Sequence, residues 1–210
     1  MTLHTWWLYL AAVFVVSATP GPNMLHILSR SVETGVRRSM AAMAGCMSAV
    51  LLMFCASAAG LTTLLLALPG SFEVLRYAGM AYLIYLGIKG WRSDDAAPVD
   101  AAQAQLPPAQ STWALFRGGF AISISNPKAI LFAAAFLPQF IDPTRPQAPQ
   151  FAIQVATFVV VETCWYFTYA LGGRSLARYL TRPTVKRAFN RITGTMFIGF
   201  GLALWKTKPA

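Results

Sequence analysis

Residues 39–72 contain no Asp, Glu, Lys or Arg, and the first Lys or Arg of the chain is Arg30. Uncharged stretches of that length suit a bilayer, whose hydrocarbon core is crossed by about 20 predominantly apolar residues, in a range of about 17–25. The 210 residues are 56% hydrophobic and only 11% charged, where a soluble domain carries about 25% charged residues. The charges also gather in short clusters between apolar runs. This pattern argues against a soluble all-α protein and predicts an all-α integral membrane protein. The opening MTLHTWW has no basic region of the kind that begins a cleaved signal peptide, so the first apolar segment is expected to stay in place.

Six transmembrane helices are predicted, over 5–27, 40–68, 73–91, 114–140, 150–172 and 189–205. The last has a short apolar core, 192–205, which keeps five spans open as an alternative. The stretch SDDAAPVDAAQAQLPPAQST at 93–112 has no apolar periodicity and reads as a flexible linker. It separates a first three-helix repeat, 1–92, from a second, 113–210. Three is odd, so the two repeats would enter the membrane in opposite senses, as inverted repeats.

The net charge of +10 would suggest nucleic acid in a soluble protein. Here the basic residues flank the spans, and no nucleic-acid partner is expected. Twelve of the Lys and Arg residues fall in the first, third and fifth loops, and four, Arg76, Arg145, Lys206 and Lys208, on the other side. By the positive-inside rule those three loops are cytoplasmic, and both termini face outward. The basic fifth loop is expected to contact anionic lipid. Trp6, Trp7, Trp91, Trp113 and Trp205 fit an interfacial belt, and His26 reads as an interfacial anchor rather than a proton relay.

Two of these spans are interrupted. In the first, Pro20-Gly21-Pro22-Asn23 sits inside an apolar run, about fifteen residues from the start of the span. In the fourth, the first span of the second repeat, Asn126-Pro127-Lys128 sits about thirteen residues in. Proline removes a backbone donor and clashes with the preceding turn. Irregular backbone survives at membrane depth only where protein buries it or a wet cavity is lined by it. Matched breaks in the two halves point to a transporter with its binding site between repeats. A helix restarting at Pro22 offers free N–H groups and a positive dipole end, which suit a carboxylate. Carbonyls released by the prolines suit an ammonium group. Pro20, Gly21, Pro22, Asn23, Asn126, Pro127 and Lys128 are therefore the candidate substrate-binding residues, for a small zwitterion. The alternative is a pair of plain proline kinks.

Two charges fall near the middle of predicted spans, Lys128 and Glu162. Ionisable residues at that depth are functional candidates. Glu162 is the candidate proton carrier, and the competing reading is a fixed ion pair with Lys128. Lys128 in turn would hold a carboxylate, neutralise Glu162, or snorkel to the interface. Small residues at Ala41, Gly45 and Ala49, and again at Ala56 and Gly60, permit close helix packing. That packing would serve one chain or a homodimer.

Other classes fit less well. Cys46, Cys55 and Cys164 are the cysteines, with no metal-ligand spacing and none at the breaks. A membrane thiol–disulfide electron carrier would need reactive thiols there. A metal-ion carrier would need clusters of His, Asp, Glu or Cys within spans, and the spans offer mainly Glu162, His26 and scattered cysteines. A non-transporting assembly or signalling protein is the remaining alternative. Nothing in the pattern asks for a metal, a cofactor or enzymatic chemistry.

These motifs also carry a resemblance. MTLHTWW, PGPN at 20–23, Gly35, Gly45, FEVLRYAGMAYLIYLGIKGWR at 72–92, NPKAILF at 126–132 and LPQF at 137–140 come in an order and spacing similar to the LysE/RhtB family of amino-acid exporters. The resemblance spans nearly the whole chain. It implies a six-span bacterial inner-membrane protein that exports small amino acids such as homoserine, threonine or other neutral ones and their derivatives, in exchange for protons. Family members often carry Asp in the middle of the fifth span, where this chain has Glu162. Ser39 and Ala49 stand where the family often has Gly.

Overall fold

The computed structural model describes residues 1–67 and 111–180 continuously; between 77 and 92 and between 184 and 202 it describes single residues, all helical. The described chain is helical throughout its ordered elements. Helix α1 spans Leu3–Ala18, α2 Pro22–Thr34, α3 Val36–Ala67, α4 Thr112–Ile124 and α5 Pro127–Leu131. A π-helical turn, Phe132–Phe136, and a 3-10 turn, Leu137–Phe140, continue α5, and α6 spans Gln147–Leu180.

Local chemistry sets most of these limits. Thr2 caps α1 by accepting from Thr5 N, and Ser111 caps α4 by accepting from Ala114 N. Helix α1 stops at Ala18 because Pro20 and Pro22 supply no N–H to continue it. Pro22 then serves as the first residue of α2, where its missing donor costs nothing. Gly35 ends α2 at φ +84°, a conformation that side chains with a Cβ rarely adopt. Helix α6 has a second such point inside it, Gly173 at φ +48°.

Helices α3 (Val36–Gly60) and α6 (Gln147–Gly173) are each long and apolar enough to cross a membrane. The pairs α1–α2, bent by 51°, and Thr112–Ile124 with Lys128–Phe140, bent by 64°, also qualify if each counts as one broken span. That makes a multi-pass membrane protein with up to four spans among the described residues. More than half of the predicted third and sixth spans, and the linker up to residue 110, lie outside them. Where single residues of those spans are described, they touch: Trp91 Nε1 donates to Thr195 Oγ1 at 3.0 Å, and Gly87 meets Gly194 closely. Bulky apolar side chains such as Trp7, Phe14, Leu52, Val160 and Leu171 face outward, as lipid-facing residues should.

Three expectations change. The first interrupted segment does not end near residue 27, because α2 runs on to Thr34. Arg30 is therefore a helical residue, 2% exposed and paired with Glu33 at 2.9 Å, rather than part of a loop. His26 is 6% exposed and lies against Gly118 of α4, so it is packed between helices and does not anchor at an interface.

Helix α3 packs along α4 at backbone contact. A methyl group on Gly45 would stand 2.0 Å from the Phe116 carbonyl oxygen, and one on Gly119 would stand 2.2 Å from the Ala42 oxygen. Of the small residues of α3, Gly45 thus serves packing within the chain, whereas Ala56 and Gly60 are exposed and nothing lies within 4 Å of a methyl group on Gly60. Cys46, buried in the same seam, donates to the Gly119 oxygen.

Candidate functional site

The two breaks meet. Asn23, in the first turn of α2, and Asn126, the cap of α5, are both buried. Asn126 Nδ2 donates to Asn23 Oδ1 at 2.9 Å, and Asn23 Nδ2 donates to Ser123 Oγ at 3.0 Å. With its other side-chain atom, Oδ1, Asn126 accepts from Lys128 N at 3.0 Å. One asparagine therefore both starts α5 and ties it to the other break.

Lys128 turns its ammonium to the open end of α1. Nζ donates to the carbonyl oxygens of Val16 and, at 2.9 Å, of Thr19. In an uninterrupted helix the Val16 oxygen would accept from residue 20, but that residue is Pro20. A cation also suits the negative end of the helix dipole. Tyr169 takes a third carbonyl at that end, its hydroxyl donating to the Ala18 oxygen at 2.7 Å. The lysine stem lies against the break, since a methyl group on Gly21 would meet Cδ at 3.5 Å.

At the facing end of α2 the donors remain open. Gly21 caps the helix without a side-chain hydrogen bond, and the first bond within the helix runs from Leu25 N to the Gly21 oxygen. The N–H groups of Asn23 and Met24 precede that bond and have no helical acceptor.

These groups border one cavity of about 30 Å³. Its lining includes Gly21, Asn23, Asn126, Lys128 and Glu162, together with an apolar set of Val16, Met24, Val50, Phe54, Ala129, Phe132 and Phe158. A volume of that size holds a water molecule or two. Pro20 and Pro22 shape the backbone but do not line it. Glu162 is 6% exposed, on the face of α6 that also buries Phe158 and Tyr166. The hydroxyls of Ser17 and Tyr166 neighbour its carboxyl without closing a hydrogen bond. Glu162 and Lys128 border the same space but form no ion pair. Arg30–Glu33 and Arg145–Asp142 are ion pairs among the described residues. A fixed Lys128–Glu162 lock is thereby set aside for this conformation.

The sequence reading missed the aromatic part of the lining. Phe54, Phe132 and Phe158 come from α3, the π-helical turn and α6, and their ring centroids lie 4.8–6.0 Å apart. The one signal available was spacing: Phe132 follows Lys128 by four residues, and Phe158 precedes Glu162 by four. Among the described residues no three His, Cys, Asp or Glu side chains converge as metal ligands would.

Comparison with known proteins finds relatives along the whole chain. The family described as LysE type translocator matches residues 14–207. An uncharacterized membrane protein of Vibrio cholerae is 33% identical over 208 residues, 99% of this chain and 100% of the relative. The homoserine/homoserine lactone efflux protein of Salmonella typhimurium is 32% identical over 210 residues, all of both chains. The leucine efflux protein of Salmonella choleraesuis is 34% identical over 202 residues, 95% of this chain and 93% of that one. No solved structure matches the chain.

Proposed function

We propose, from the premise that this chain belongs to the LysE type translocator family, that it exports a small neutral amino acid from the cytoplasm by proton antiport. The observation that carries the reading is Lys128 Nζ on the Val16 and Thr19 carbonyls, at a break that faces a second break across one cavity. These carbonyls are an ammonium site, filled here by the protein's own ammonium. The open N–H groups of Asn23 and Met24 offer the complementary carboxylate site at the positive end of α2.

A zwitterion entering from the cytoplasm sets its ammonium on the α1 carbonyls and displaces Lys128. The freed lysine then compensates the substrate carboxylate or Glu162, so that charge stays balanced as the substrate moves. Glu162 takes a proton on the outer side and releases it inward, and its loading alternates with that of the substrate. Efflux by the named relatives supports the direction. In this reading the chain lies in the bacterial inner membrane with both termini outside. It has six spans as two inverted repeats, 1–92 and 113–210, joined by the cytoplasmic linker 93–112. It works without a cofactor, as a monomer or a homodimer.

The test is Glu162→Gln in proteoliposomes. The wild type should drive leucine or homoserine uphill when a pH gradient is imposed. The variant should insert normally and lose gradient-driven transport at least tenfold. Full coupled transport by the variant would remove Glu162 from the proton path.

A further inference from the structure

We propose that Val50, Phe54, Phe132 and Phe158 form the subsite for the substrate side chain, and that it selects aliphatic amino acids over those ending in a hydroxyl or a charge. The inference rests on the exporter reading above and names the substrate class for that same cavity.

The geometry is layered. Phe54 lies four residues beyond Val50 on α3, Phe132 four beyond Lys128, and Phe158 four from Glu162 on α6, so each ring sits one turn along the same face from another cavity residue. The shift is in one sense for all three, toward the end of the bundle where α1 begins and α6 begins, since α3 and α5 run opposite to α6. The rings close on one another there, with Phe54 and Phe158 edge-to-face at 4.8 Å and Phe132 at 5.6 Å from Phe158. A zwitterion held at the breaks by its charged groups has these rings as the wall for its side chain.

Chemistry then decides the class. Among the described residues none lining the cavity carries a hydroxyl, and the unpaired hydroxyls of Ser17 and Tyr166 stand beside Glu162, a turn of α6 away from Phe158. The Ser123 hydroxyl, close by in the chain, is already engaged by Asn23. A hydroxyl-tipped side chain among these rings gives up its water and gains no partner. A charged one gives up more hydration still, since the rings supply no counter-ion. An apolar pocket discriminates against an added hydroxyl by about a hundredfold at most, so the preference is graded rather than absolute.

Norvaline and homoserine test this directly, because they differ only by a methyl against a hydroxyl at the same position. The measurement is counterflow into proteoliposomes of the full chain, with each compound as competitor. The wild type should half-saturate with norvaline at a concentration about ten to a hundred times lower than with homoserine. Val50→Thr, which places a hydroxyl in the wall at nearly constant volume, should narrow that ratio at least threefold while transport persists. Phe158→Ala should weaken norvaline more than homoserine. Equal or better competition by homoserine in the wild type overturns the aliphatic subsite and leaves the exporter reading standing. An unchanged ratio in both variants, with the preference present, overturns the assignment to these residues. Transport of no amino acid by correctly inserted protein defeats the exporter reading and the subsite with it.

Discussion

Asn126 Nδ2 donates to Asn23 Oδ1 at 2.9 Å across 103 residues of sequence. This bond joins the two broken helices at their weakest points. Each asparagine is already committed elsewhere, Asn23 to Ser123 Oγ and Asn126 to Lys128 N. The pair therefore fixes the distance between the start of α2 and the start of α5, and with it the position from which Lys128 reaches across to the end of α1.

Asn126→Ala removes a helix cap, costing about 1 kcal/mol, and leaves the buried Asn23 oxygen without its donor, about 1–3 kcal/mol more. The expected result is a lower melting temperature in detergent and transport reduced at least tenfold. Asn126→Asp keeps the cap oxygen and loses the donor, so it should recover part of the stability but not the transport. Thermal melts and uptake assays on the two variants separate these contributions.

Lys128→Met keeps the stem against Gly21 and deletes the ammonium. The α1 carbonyls then lose their resident cation, and substrate carboxylate or Glu162 loses its balancing charge. Net transport should fall below about a tenth of wild type, with each tenfold corresponding to about 1.4 kcal/mol. Lys128→Arg should not restore it, because a planar guanidinium is broader than the ammonium that fits between two carbonyls. Initial rates at saturating substrate check both.

Gly119→Ala drives a methyl group into the Ala42 carbonyl. Backbone cannot retreat as a flexible side chain can, so the cost should reach about 1–3 kcal/mol or more. Gly60→Ala has nothing within 4 Å to strike and should melt no lower than wild type. The contrast distinguishes helix contact from a general effect of adding a methyl group in a membrane helix.

Replacing Cys46, Cys55 and Cys164 by Ala or Ser should leave transport within about twofold. Cys55 and Cys164 are exposed, and Cys46 is buried with its thiol on the Gly119 oxygen. Cys46 and Cys55 share a helix and stand about 13 Å apart along it, too far to bridge. Loss of function in the triple variant, with normal insertion, would revive an electron-carrier role.

The breaks were legible in the sequence because proline acts on its own backbone. Pro20, Pro22 and Pro127 stop and start helices whatever surrounds them. Glu162 was legible because charge is scarce at that depth. The reach of α2 to Thr34 was hidden, since HILSRSVET reads as polar connection until α4 and α6 are seen to cover one side of it. The partners of Lys128 were hidden too: the sequence shows that carbonyls are released and a cation is nearby, but only folding shows that they meet. The ring cluster gave least warning, because phenylalanine in a membrane segment is ordinary until three of them converge on one cavity.

The contact between α3 and α4 bears on how such a molecule can open. These helices come from opposite sides of the linker, yet their backbones touch at Gly45 and Gly119 with no side chain between them. Shear along that line would drive carbonyl oxygens into α-carbons, so the two helices travel as a single strut. A rearrangement of this bundle would therefore have to carry the two helices together, with the hydrogen bonds around Asn23 and Asn126 and the apolar packing beside them as the contacts left to exchange.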